Sequence, residues 1–85
     1  MKNDEKIFFV YCYILGRREA YQARRVEPRY IINDFEMIGF MHHKRCWYLL
    51  EKWRRLGFYD YGTNLELGWF YPNKLPERYK KILEE

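Results

Sequence analysis

Residues 42–71 read HHKRCWYLLEKWRRLGFYDYGTNLELGWFY, one helix stopped by a glycine and followed at once by a short β-hairpin. Cys46, Leu49, Leu50, Trp53 and Leu56 recur at i, i+3, i+4, i+7 and i+10, the apolar stripe of a helix that faces a core. That helix begins at His43 or Lys44. Gly57 follows it where a helix end calls for left-handed backbone. Trp53 stands four residues before this glycine and Phe58 straight after it, so the chain leaves the helix between two large apolar anchors. Phe58 to Tyr61 and Leu65 to Tyr71 then flank Gly62-Thr63-Asn64, a glycine-containing connection of the kind that closes a hairpin.

Upstream, Met1 to Glu5 is polar and is expected to fray, with Asn3 or Asp4 available as a helix cap. From Lys6 onward Ile7, Phe8, Val10, Tyr11, Ile14 and Leu15 form a wide apolar stripe at helical spacing. This first helix either ends at Gly16 or continues to about Arg24 as a basic second half. Val26-Glu27-Pro28 breaks the chain, because proline disfavours the α conformation of the residue before it. Arg29-Tyr30-Ile31 reads as a very short strand. Asn33 or Asp34 caps a short second helix carrying Phe35, Ile38 and Met41, which loosens at Gly39-Phe40. Downstream of the hairpin, Pro72 to Pro76 punctuates, and Glu77 to Glu85 forms a last short helix with Tyr79, Ile82 and Leu83 on one face.

Eighty-five residues make one domain, 1–85, with a single core. At 48% hydrophobic and 21% aromatic residues the chain is too apolar for disorder. Its longest apolar run, Ile7 to Leu15, is about half of the ~20 residues a membrane-spanning helix needs, so no membrane partner is expected. Two cysteines, Cys12 and Cys46, do not make a secreted disulfide framework, and a cytoplasmic protein with reduced thiols is expected. The net charge of +4 favours an anionic partner. The excess is gathered in two zones. Residues 17–29 hold five Arg against two Glu, and residues 42–55 hold five Lys or Arg and two His against one Glu.

Taken in order as helix, short strand, helix, helix, hairpin and helix, with LLEKWRRLGFYDYG at their centre, the elements resemble the winged helix-turn-helix superfamily over roughly Lys6 to Tyr71. The resemblance implies an α+β domain: a compact three-helix core, a hairpin wing and a short C-terminal helix. It implies that the helix from about His43 to Leu56 lies in the major groove of double-stranded DNA, its N-terminal residues toward the base edges. With Cys46, Leu49, Leu50 and Trp53 turned inward, His43, Lys44, Arg45, Trp47, Tyr48 and Lys52 are left on or near the outer face. Lys44 and Arg45 are the candidates for base contact, since Arg donates a matched pair of hydrogen bonds to guanine. Lys52, Arg54 and Arg55 suit phosphates, and Arg17, Arg18, Arg24 and Arg25 add backbone contacts.

The expected function is therefore that of a small sequence-specific transcriptional regulator of phage or mobile-element type, acting by occupying its operator. A module this small needs two copies for useful specificity, so a homodimer is expected, with the first and last helices as its surface. The rival reading is a protein-interaction module using Trp47, Tyr48 and the hairpin aromatics, for example to inhibit a host factor. His42 and Cys46 offer two zinc ligands where a closed structural site needs four, so neither metal nor other cofactor is expected. No arrangement of nucleophile, base or acid pair points to an enzyme.

Overall fold

A computed structural model describes the backbone of residues 1–21, 28–61 and 69–84, and the side chains of 1–15, 31–61 and 69–84. Among the described residues the elements are α1 (Asn3–Tyr21), α2 (Pro28–Met37), α3 (His43–Arg55), β1 (Tyr59–Asp60), β2 (Trp69–Phe70), a 3-10 turn (Pro72–Lys74) and α4 (Glu77–Glu84). The architecture is α+β. The strands pair antiparallel with Tyr59 opposite Phe70 and Asp60 opposite Trp69, and the Tyr71 N–H extends the ladder by donating to the Phe58 carbonyl at 2.9 Å. The Gly62-Thr63-Asn64 turn and the start of the second expected strand, Leu65 to Gly68, lie outside the described residues.

α3 has the limits its stripe predicts. The His42 imidazole accepts the Lys44 N–H at 3.1 Å, which caps the helix, and Cys46, Leu49, Leu50 and Trp53 are buried. At the far end the Leu56 N–H donates to the Lys52 carbonyl and the Gly57 N–H to that of Arg54. Gly57 takes φ +92°, a backbone conformation that a side chain strains. Leu56, expected as the last member of the stripe, is 40% exposed.

The segment before α3 departs from expectation. Residues 29–31, expected as a strand, belong to α2, which opens at Pro28. Proline suits a first helical position because its missing N–H needs no partner there. Asn33 and Asp34 consequently lie inside α2 rather than capping it. α2 ends in a turn in which the N–H groups of Phe40 and Met41 both donate to the Phe35 carbonyl, across Gly39 at φ +71°. Phe35 and Met41 are buried as expected, whereas Ile38 is exposed.

α1 runs through Gly16 to Tyr21 and starts at Asn3, inside the segment expected to fray. Its buried face is Glu5, Phe8, Phe9 and Cys12, so three residues of the predicted apolar stripe, Ile7, Tyr11 and Ile14, are exposed instead. Aromatic rings fill the inward side of this rotation. Phe9 lies 5.4 Å from Trp53, 5.0 Å from Tyr79, and 6.0 Å from both Phe58 and Phe70, so one ring joins α1 to α3, the strand pair and α4. Phe8 meets Trp53 on its other flank at 5.6 Å and Phe35 of α2 at 5.0 Å. Cys12 and Cys46 are unpaired thiols inside this core, and burial pushes both up, Cys46 to about 11.

Beneath the rings, the Glu5 carboxylate is 2% exposed and accepts three hydrogen bonds: from Trp53 Nε1 at 3.1 Å, Tyr79 Oη at 2.8 Å and Lys52 Nζ at 3.0 Å. Burial pushes the Glu5 carboxyl up, but these donors and the Lys52 charge outweigh it and hold it below its ordinary 4.5. Among the described residues no buried side-chain nitrogen or oxygen lacks a partner.

Glu5→Ala strands the Trp53 and Tyr79 donors in the core and is expected to cost about 2–4 kcal/mol, read by urea unfolding. Because the folded-state Glu5 carboxyl sits below 4.5, its contribution is present above that pH and is lost as the pH falls through the folded value. Melting temperature should fall on that acid limb, and Glu5→Gln should flatten the limb. Gly57→Ala, forced into left-handed backbone, should cost about 1–2 kcal/mol while leaving the circular dichroism spectrum unchanged.

Candidate nucleic-acid interface

The faces of α3 follow from its 3.6 residues per turn. With Cys46, Leu49, Leu50 and Trp53 inward, Lys44, Tyr48, Glu51 and Arg55 form the outward stripe. Trp47 and Arg54 flank it on one side, and Arg45 and Lys52 on the other.

Lys44 is exposed, in the first turn, and has no carboxylate partner among the described residues. Tyr48 one turn on is 59% exposed. Arg55 is 75% exposed and only loosely held, its Nε 3.4 Å from Glu51 Oε1. Arg54 makes the closer contact with Glu51, donating from Nε and Nη2 to both carboxylate oxygens. That hydrogen bonding holds the Glu51 carboxyl below its ordinary range. One carboxylate thus serves two arginines, and the last two turns of α3 keep a net positive charge beside the negative end of the helix dipole.

On the other flank the cations turn back into the molecule. Arg45 donates from Nε and Nη2 to the two Asp4 oxygens at 3.2 and 3.3 Å, a fork-on-fork pair between α3 and the first turn of α1. The Arg45 hydrogen bond holds Asp4 below its ordinary value. The guanidinium also lies 5.6 Å from the Tyr48 ring centre. Lys52, tied to Glu5, is fixed in the same way. Met1, Lys2, Glu5, Arg45, Tyr48 and Lys52 together line an open cleft of about 600 Å³ at the seam of the two helices. Arg45, expected from sequence to contact bases, is thereby held to α1, with its guanidinium beside Tyr48 at the edge of the outward stripe.

Trp47 is half-buried with its ring 6.2 Å from that of Tyr61, so it braces α3 against the strand pair rather than projecting from the face. His43 stacks on His42 at 4.1 Å and meets Glu36 Oε2 at 3.0 Å, a link between α3 and the end of α2. His42 caps α3 and Cys46 is fully buried, which gives each of the two weighed zinc ligands a place in the packing. The backbone of Arg17 and Arg18 lies on the second half of α1; their side chains, and all of Arg24 and Arg25, lie outside the described residues.

Of the residues singled out from sequence, the structure therefore gathers Lys44, Tyr48 and Arg55 on one accessible strip, with Arg54 at its edge. It sets Arg45 and Lys52 beside the strip in ion pairs, and Trp47 and His43 against neighbouring elements. Sequence reasoning missed Asp4 and Glu5. Two acids in a first turn look like ordinary complements of the helix dipole, and nothing local reveals partners 41 to 74 positions away.

No helix among the described residues is long and apolar enough to cross a membrane. Comparison of the chain with protein-family models, with curated proteins and with solved structures finds no match.

Proposed function

We propose that the chain is a winged helix-turn-helix protein that binds double-stranded DNA through the outer face of α3, as a sequence-specific transcriptional regulator acting by operator occupancy. One observation carries the reading. A helix, a tight turn at residues 38–42 and a second helix are followed by an antiparallel strand pair, and the second helix keeps Lys44, Tyr48, Arg54 and Arg55, with Glu51 among them, free of the core. Lys44, in the first turn, suits a base edge, while Arg54 and Arg55 suit phosphates. The Glu51 pairs are no obstacle, because exposed ion pairs are worth about 0–1 kcal/mol and an arginine exchanges one for a phosphate at little cost. With Trp47 half-buried against Tyr61, the face presents one large aromatic, Tyr48, to a groove.

A second reading, a module that binds protein through α3, is favoured by the ion pairs that occupy Arg45, Lys52, Arg54 and Arg55 and by the exposure of Tyr48. The two differ in their response to salt, since a phosphate-binding face loses affinity steeply with ionic strength.

Fluorescence anisotropy of a random-sequence duplex should show binding at low salt that weakens by roughly tenfold or more on moderate salt addition. Lys44→Ala/Arg55→Ala should reduce affinity about tenfold or more and lower the salt slope by about one unit for each phosphate no longer engaged. Absence of binding at low salt overturns the DNA reading and leaves the protein-binding one.

A further inference from the structure

α1 is apolar on two opposite faces. Phe8, Phe9 and Cys12 face the core, while Ile7, Tyr11 and Ile14 line up at i, i+4 and i+7 on the outside with 42%, 42% and 61% of their surface exposed. A helix that is hydrophobic all round belongs inside something. The outer ridge continues onto the end of α2 and the turn after it, where Met37, Ile38 and Phe40 are 84%, 73% and 40% exposed. Ring packing makes this one surface: Tyr11 lies edge-on to Phe35 at 5.0 Å, and Phe35 meets Phe40 at 5.6 Å. Grooves flank the ridge, one of about 480 Å³ toward α2 and one of about 790 Å³ toward α4, where Ile82 and Leu83 form its wall.

We infer that this ridge is the interface of a homodimer, with α1 packed antiparallel against α1 of a second copy. Three properties of the surface select a second copy as its occupant. The ridge is nearly symmetric about Tyr11, so a two-fold axis across α1 sets Ile7 against the partner's Ile14 and Ile14 against the partner's Ile7, ridge into groove, as an isologous interface requires. The chain carries +4, and two like-charged copies approach best through a face of low net charge; among the described residues the margins of this one hold Lys6 on one flank and Asp34 on the other. The exposed fractions of the six residues correspond to about 700 Å² of largely apolar surface, taking ~200 Å² per fully exposed large residue. Two such faces, fully covered, bury up to about 1,400 Å², within the ~1,200–2,000 Å² of stable interfaces.

The dimer stands on this surface alone and does not require the DNA reading, whose residues lie on α3.

Sedimentation equilibrium of the full chain from low to high micromolar concentration tests the inference. The expected result is a monomer–dimer equilibrium that Ile14→Glu and Ile38→Glu each shift to monomer with an unchanged circular dichroism spectrum, and that Lys44→Ala/Arg55→Ala leaves unchanged. Mixed Ile7→Cys and Ile14→Cys chains should form a disulfide-linked heterodimer on air oxidation in preference to either homodimer; the native thiols are buried. A monomer throughout the range overturns the inference. So does a dimer indifferent to both glutamates, or cross-linking with no preference for the mixed pair. DNA binding by a strictly monomeric chain would sink the dimer and leave the DNA reading intact.

Discussion

The Glu5 carboxylate is the point on which the rest of the packing depends. It is a charge placed inside an aromatic core, a position that costs several kcal/mol unless every lone pair in reach of a donor is used. The cost is offset by three donors from two other helices: the ammonium of Lys52 and the indole of Trp53 on α3, and the phenol of Tyr79 on α4. Each donor fixes a direction as well as a distance. Hydrophobic burial alone allows α1 to roll, since nine consecutive apolar residues from Ile7 to Leu15 offer several equivalent faces. A polar anchor with defined geometry removes that freedom, sends Phe8 and Phe9 to Trp53, and leaves Ile7, Tyr11 and Ile14 outside.

The same anchor shapes the outer face of α3. Lys52 and Arg45 lie on the side of the helix nearest α1, and Glu5 and Asp4 draw them there. They change from potential ligands for a phosphate into part of the joint between two helices. Exposed cations remain on the outward strip and the opposite flank, where Glu51 is the one acid that α3 itself supplies. The charge that the sequence places at the two ends of α3 is, in three dimensions, divided between a structural flank and an accessible one.

How much of this is legible in the sequence depends on the element. α3 and the strand pair are legible because several signals agree there: an apolar stripe of one period, a glycine at the point of exit, and aromatic residues on both sides of a turn. The start of α2 is ambiguous, because Arg29-Tyr30-Ile31 following a proline fits an extended segment as well as a helix that opens on that proline. Packing of Ile31, Ile32 and Phe35 into the core decides between them. The rotation of α1 is not legible, since a uniformly apolar run carries no periodicity from which to choose a face. For the candidate interface, residue types and the helix that carries them are legible. Which cations are free is not, because ion pairing between α1 and α3 joins residues more than 40 positions apart.

The two buried thiols have a consequence of their own. Cys12 on α1 and Cys46 on α3 are 2% and 0% exposed, and burial keeps both protonated at neutral pH. An electrophile that needs a thiolate nucleophile meets neither sulfur while the helices are closed. Alkylation therefore proceeds only through an open state, and where alkylation outpaces reclosing its rate is the rate at which the core opens. The chain carries its own clock for the opening of its core, with no probe attached and no residue changed.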